Sequence, residues 1–483
     1  MKYSPNRKFS MLLVACVGCS FNTVYSQNKT VAEKIDGYIQ AKLAKSSVPG
    51  LAVAVVHDDS ILLSKGYGIT GNGRVVTANS PFAIASLSKA FTAMAVMQLV
   101  ETRQIELNAP VINYLPSFAT DDARGATVTV QQLLHQTSGL ADTGFPELSF
   151  TKQPTTLDEA VLRLKNAHLV STPGQRFHYH NPNYQVLAKL VEAVSHEKFP
   201  DYLQKHIFRP LGMTTTQEVA VTKSFYKSDD FTKGHIYFLG KPIAFQEPDW
   251  FIEGSAGMAS SINDMAHWLI PQMNHGRFGN TQLLDSTHTK MMQRPPSGAA
   301  HSYGMGWFLT ANANLYHSGI LWTYSAEQMI ITKDRYGIVV LFNGGLNPFV
   351  DYYSFTQGIA DILTNKEPEV PFLPDWFYAI FAGAILVASI CLSIRRLLRL
   401  KHWQKNYAQR PLWRSWVYLL LRILPFILFL FIPLLITAIS GRVLSWERIF
   451  LMLPEIMLGL GITALVNLMV VITRLVKVMR IMH

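Results

Sequence analysis

Three apolar runs near the C-terminal end constrain this chain more than any other feature. Residues 376–394, 416–439 and 449–471 each approach the roughly 20 residues with which a helix crosses the hydrocarbon core of a bilayer. Such a helix satisfies its backbone polar groups internally and presents apolar side chains all round, so it is expected in lipid. Between the first two runs lie Arg395, Arg396, Arg399, Lys401, Lys405, Arg410 and Arg414, the charge bias of a cytoplasmic loop. The loop between the second and third, "SGRVLSWER", is short and mixed, and Arg474, Lys477 and Arg480 follow the third run. The expected topology is a three-span anchor over residues 376–483 with a cytoplasmic C-terminus. Arg422 and Glu455 fall inside these runs, each about two helical turns from an end. Snorkelling accounts for both. Their helices run in opposite directions, so no transport pathway is read from them.

The other end agrees. Lys2, Arg7 and Lys8 precede the apolar run "MLLVACVGCSF", and Val24 and Ser26 stand at the −3 and −1 places of a signal-peptidase site. Residues 1–26 read as a cleaved secretory signal; the alternative is a lipoprotein signal ending at Cys16. Either exports residues 27–365, with 366–375 as a linker to the anchor. The net charge of +11 divides accordingly, +3 in residues 1–26, +10 in 372–483 and −2 between them. The exported unit therefore has no polyanion-binding charge balance, and no nucleic-acid partner is expected. The three cysteines, Cys16, Cys19 and Cys391, lie in the two apolar ends. The exported unit can hold neither a disulfide nor a thiol nucleophile.

Within the exported unit, "PGLAVAVVHDDSILLSKGYGI" reads as two strands joined at Asp-Asp-Ser, and "AEQMIITKD" and "GIVVLFNGG" as two more, joined near residues 335–336. The middle, about 86–275, is mostly helical. Strands at both ends with helices between predict an α+β fold: an antiparallel sheet flanked by helices, with an inserted helical region.

The stretch "PFAIASLSKAFTAMAVMQLVE" places Ser86 three residues before Lys89 at the start of a helix with Phe91, Met94, Ala95, Leu99 and Val100 on an apolar, amphipathic face. A serine hydroxyl needs a base to become a nucleophile, and a desolvated lysine can serve. The spacing puts both on one helix face, near unpaired backbone N–H groups. The same place suits a capping serine. Four other Ser-x-x-Lys pairs occur, Ser26/Lys29, Ser149/Lys152, Ser195/Lys198 and Ser224/Lys227, but none begins so strongly amphipathic a helix. Two further clusters follow: the sole Tyr-x-Asn, Tyr179-His180-Asn181, and the sole His-x-Gly, His317-Ser318-Gly319.

The order Ser-x-x-Lys, Tyr-x-Asn, His-x-Gly resembles the serine β-lactamase and penicillin-binding-protein superfamily, in its class C-like branch of peptidases and esterases. "VPGLAVAVV", "LLHQTSGL", "FRPLGMTTT", "GSAGMASSINDMAHWL" and "YGMGW" extend the resemblance over about residues 30–365. It implies that Ser86 forms an acyl-enzyme, that Lys89 accepts its proton and that Tyr179 protonates the leaving group. Asn181 orients Lys89 and the substrate amide, and the backbone N–H groups of Ser86 and Ile320, beside Gly319, make the oxyanion hole. His317 stands where β-lactamases usually carry a lysine that helps hold the substrate carboxylate. That departure favours a peptidase or esterase, and the bulky "SGILW" implies an altered substrate strip. The anchored architecture resembles the prodrug peptidases that mature colibactin-like compounds.

The implied activity is an extracytoplasmic serine peptidase or amidase at a bacterial cytoplasmic membrane, acting on D-amino-acid-containing or N-acylated substrates. An esterase, a β-lactamase or a D-Ala-D-Ala carboxypeptidase is the alternative within the enzyme class, and a non-catalytic sensor of wall peptides the alternative outside it. The expected partners are a small-molecule or peptide substrate and the lipid bilayer. No cofactor is expected. His178 and His180 alternate on one segment without a third ligand, too little for zinc, so no metal is expected, and His135 in "LLHQTSGL" is read as structural.

Overall fold

The computed structural model describes residues 30–150, 152–368, 375–400 and 412–482. The expected signal at 1–26, most of the linker and the middle of the basic loop lie outside the described residues.

The central sheet follows the expected scheme. Strands β1 (Gly50–His57) and β2 (Ser60–Gly68) form a hairpin, and β3 (Phe308–Leu309), β4 (Leu315–Ile320), β5 (Ser325–Ile331) and β6 (Tyr336–Phe342) come from the far end of the exported region. Their order is β3-β4-β5-β6-β1-β2, antiparallel throughout. The two chain ends meet at β1 and β6, where Leu51 faces Phe342 and His57 faces Tyr336. Asp58 and Arg335, in the turns before β2 and β6, take φ of +55° and +54°.

Alternation along β1 splits the core. Leu51, Val53 and Val55 join Ile338, Val340 and Phe342 against helices α1 (Val31–Leu43) and, later in the chain, Tyr353–Leu363. Ala52, Ala54 and Val56, with Val339 and Leu341, face the larger core. Successive side chains point to opposite faces of a sheet, and helices cover both here. That is why "GLAVAVV" is apolar without a break.

The larger core holds α2 (Ser88–Glu101), α3 (Asn181–Ser195) and α4 (Ile262–Met273). The amphipathic reading of α2 needs correction. Residues 88–97 are all buried, Ala90, Ala93 and Met97 as well as the apolar face. A helix enclosed by packing all round needs no polar face.

After α5 (Tyr353–Leu363) come α6 (Asp375–Arg399), α7 (Leu412–Leu430), α8 (Ile432–Ser440), α9 (Trp446–Met452) and α10 (Pro454–Met482). Among the described residues two helical stretches, Phe377–Arg399 and Pro454–Lys477, are long and apolar enough to cross a membrane, or three if Trp416–Leu430 and Ile432–Ser440, bent by 50°, are one broken span. Pro433 explains the break, since it donates no N–H and its ring crowds the carbonyl one turn earlier. Two details differ from expectation. The last long apolar helix begins at Pro454, and 446–452, part of which lay in the expected third run, form the separate helix α9. Glu455 therefore sits in the first turn of α10, where the helix dipole favours a carboxylate. Arg422, read as snorkelling, also approaches Asn467 Oδ1 of α10 at 3.5 Å.

Candidate active site

Ser86 lies in a one-turn 3₁₀ helix, Ala85–Leu87, that runs directly into α2. Ala85 takes φ of +48°, a region that costs a residue with a Cβ and occurs where surrounding packing enforces it. The enforcement is visible: Ser88 Oγ donates to Ala85 O at 2.6 Å and accepts from Met258 N at 3.1 Å. Strand β4 presses from the other side. A Cβ on Gly319 would fall 2.3 Å from Ile84 O, so only glycine lets the strand approach the serine turn this closely.

Lys89 is wholly buried. Its Nζ lies 3.2 Å from Ser86 Oγ, 2.9 Å from Asn181 Oδ1 and 2.8 Å from Ser255 O. The rings of Tyr179 and Tyr184 stand 4.8 and 5.7 Å from it. Desolvation drives the lysine well below its ordinary pKa, and the charge of Arg442 adds to the effect, while Glu147 opposes it. Burial pushes the Tyr179 phenol up to about 12, with Ser86 and Arg442 pulling it partly back. An amine with a depressed pKa and a phenol with a raised one thus flank one hydroxyl. The pair can take a proton from Ser86 and return it to a leaving group.

Asn181, the first residue of α3, donates from Nδ2 to Glu147 Oε1 at 2.9 Å. A carboxylate only accepts, so this contact fixes the amide with Oδ1 toward Lys89. His317 is buried in β4, and desolvation together with Lys89 lowers its pKa to about 3. Its Nδ1 faces Ser318 O at 2.7 Å and its Nε2 faces the Tyr303 hydroxyl at 3.3 Å. The carbonyl requires the proton on Nδ1, which leaves Nε2 as acceptor. A neutral imidazole here offers no positive charge. Ser86, Tyr179, Asn181, His317 and Ile320 all line one cavity of about 430 Å³.

Other sequence candidates fall elsewhere. His180 pairs through Nδ1 with buried Asp142 at 2.8 Å. Among the described residues a metal-like grouping occurs at Glu101, Asp285 and His288, at the far end of α2 from Ser86. His135 is buried with Nδ1 3.2 and 3.1 Å from Tyr303 O and Gly304 O, and burial lowers its pKa to about 4. That contact ties the "LLHQTSGL" loop to "YGMGW", a structural role. Of the competing serines, Ser195 donates back to Val191 O at 2.6 Å within its own helix and Ser149 to Val443 O at 3.1 Å.

Glu147, Asp142, Ser255 and Arg442 were not legible as site residues. Asp142 and Glu147 lack any motif, and Ser255, although inside "GSAGMASSINDMAHWL", meets Lys89 through its backbone carbonyl, which no side-chain pattern announces. Arg442 sits in the "SGRVLSWER" loop between two of the C-terminal apolar helices, and that loop's expected place on the exported side is the signal that points to it.

A serine, a buried lysine, a tyrosine and an asparagine around one cavity, beside an antiparallel sheet, define the architecture of an active-site-serine, penicillin-recognising fold. The Beta-lactamase family model matches residues 35–355, and the chain belongs to that family as a serine hydrolase. "Protein flp" of Staphylococcus aureus (strain MW2) is 28% identical over 456 residues, covering 90% of this chain and 88% of that protein, so the likeness runs on into the C-terminal helices. Two solved structures share the fold. The octameric penicillin-binding protein homologue from Pyrococcus abyssi has a TM-score of 0.59 at 24% identity, covering 73% of this chain and 81% of its own. EstCE1, a hydrolase with promiscuous acyltransferase activity, has a TM-score of 0.57 at 18% identity, covering 69% and 98%.

Proposed function

We propose that this is a membrane-anchored extracytoplasmic serine amidase or peptidase that works through a Ser86 acyl-enzyme. Ser86 attacks, Lys89 takes its proton, and Tyr179 delivers a proton to the leaving group. Asn181 orients Lys89 and the substrate amide. The backbone N–H groups of Ser86 and Ile320 receive the oxyanion. The observation that carries this reading is the 3.2 Å contact between Ser86 Oγ and the Nζ of a lysine with no exposed surface.

The cavity supports one substrate class. Leu148, Trp250 and Trp322 of the catalytic domain face Ile436, Leu444 and Met452 of the C-terminal helical region across it. An apolar acyl chain suits such walls, and neutral His317 gives a substrate carboxylate little attraction. N-acylated D-amino amides are therefore favoured over penicillins, in keeping with a prodrug-maturing peptidase. An esterase or a D-Ala-D-Ala carboxypeptidase uses the same serine chemistry. A silent wall-peptide sensor has no use for a buried lysine beside a serine.

The test is a rate comparison with the purified full-length protein. An N-acyl-D-amino amide with a fatty acyl chain should be cleaved faster than nitrocefin is hydrolysed. Efficient nitrocefin turnover without amide cleavage would make the protein a β-lactamase.

A further inference from the structure

We infer that Arg442, carried on the loop between helices α8 and α9, is a positioning residue of the active site, acting on Lys89 through Glu147 and Asn181. The inference rests on the reading of Lys89 as base and extends it to a residue of the membrane-associated region.

The loop crosses the mouth of the catalytic domain. Arg442 Nε lies 2.7 Å from Asp142 Oδ2, and its Nη2 donates to Glu147 Oε1 at 3.4 Å. Val443 N reaches Asp142 Oδ2 at 3.4 Å, and Ser149 Oγ donates to Val443 O at 3.1 Å. Arg448 of α9 stands 4.9 Å from the Trp250 ring and 5.3 Å from the Trp322 ring, two walls of the cavity. Arg442 lines that cavity together with Ser86.

Charge explains why a guanidinium is placed there. Asp142 and Glu147 are both buried, and a buried carboxylate without a cation is strongly unfavourable. Within the catalytic domain His180 Nδ1 contacts Asp142, whereas the Glu147 carboxyl group receives, from side chains of that domain, only the neutral Asn181 amide. Arg442 supplies the missing charge. Its contact with Glu147 Oε1 also holds the oxygen that fixes Asn181, and Asn181 in turn holds Lys89 Nζ.

The groups around Lys89 are Ser86, Asn181, the Ser255 carbonyl, the rings of Tyr179 and Tyr184, His317, and the Glu147–Arg442 pair behind Asn181. Only Glu147 among them can carry a negative charge; burial raises its pKa and Arg442 works against that rise. Balanced by Arg442, it does not hold a proton on Lys89; unbalanced, it does. Docking of the membrane loop is thereby coupled to the state of the base.

The experiment uses the full chain in lipid nanodiscs and measures the rate of fluorophosphonate labelling of Ser86 against pH. Arg442→Gln should move the acid limb upward by about one pH unit, a roughly tenfold loss on the limb, with recovery toward the wild-type rate at high pH. Arg442→Lys should restore most of it. Glu147→Gln, with Arg442 retained, should move the limb the other way. An unchanged limb in Arg442→Gln, or a uniform loss at every pH that lysine does not rescue, would overturn the inference. Absence of labelling in the wild type would instead remove the serine mechanism itself, and with it this role.

Discussion

Asn181 holds Lys89 from one side of its amide and Glu147 from the other, at 2.9 Å in each case. The base is thus fixed by a residue that begins α3 and has no proton to exchange itself. Asn181→Asp would put a second carboxylate beside buried Glu147 and favour the protonated lysine. Acylation at neutral pH should fall at least tenfold, with partial recovery as pH rises. A pH-independent loss would show that Asn181 acts on substrate alone.

Lys89→Ala and Tyr179→Phe should each slow turnover by at least ~10²-fold, the scale of lost acid–base help. The pH sign follows from the two shifts. Lys89 works as a neutral amine and its pKa lies well below 10.5, so the rate rises with pH as Lys89 loses its proton, on a limb displaced to lower pH than that of a free lysine. Tyr179 works as a phenol and loses its proton only at about 12. No alkaline decline through pH 9 should therefore come from Tyr179, as a rate profile from pH 5 to 9 would show.

Gly319→Ala tests the close approach of β4. The added carbon meets a backbone oxygen, which cannot rotate away as a side chain can. The expected loss is about 1–3 kcal/mol of stability together with slower Ser86 labelling. Thermal unfolding and labelling of the same sample would check both, and an unperturbed variant would contradict the packing.

Chelation should leave turnover intact. Ser86 is served by an amine and a phenol, and the Glu101, Asp285 and His288 grouping lies at the far end of α2. Zinc-reversible loss of activity after dialysis against chelator would contradict this.

A reporter fused after residue 405 should behave as cytoplasmic and one fused at 443 as extracytoplasmic. The second is tied to the site, because Arg442 contacts Asp142 and Glu147 of the catalytic domain. A cytoplasmic signal at 443 would be incompatible with export of that domain.

Much of this was readable from local pattern. The β1–β2 hairpin announced itself through a polar Asp-Asp-Ser turn between apolar runs, and Ser86, Lys89, Tyr179, Asn181 and His317 through motifs a few residues long. Three-residue spacing on a helix is a geometric statement, so the Ser86–Lys89 contact could be anticipated. The ion pair of Arg442 with Asp142 could not, because 300 residues of chain lie between the partners and neither has a local signature. The period of α2 misled for a related reason. Apolar spacing shows which face must be buried, while burial of the opposite face depends on α3 and the sheet. The start of the last long helix was not legible because an apolar run does not reveal that Leu453, with φ of −142° and ψ of +57°, breaks the helix before Pro454.

The most direct measurement is intact mass of the full-length protein after exposure to a fluorophosphonate. Wild type should gain one adduct, mapped by peptide analysis to Ser86, and Ser86→Ala should gain none while retaining its thermal transition. An adduct on Ser86→Ala at the wild-type rate, or one mapped to another serine, would contradict the assignment of Ser86 as nucleophile.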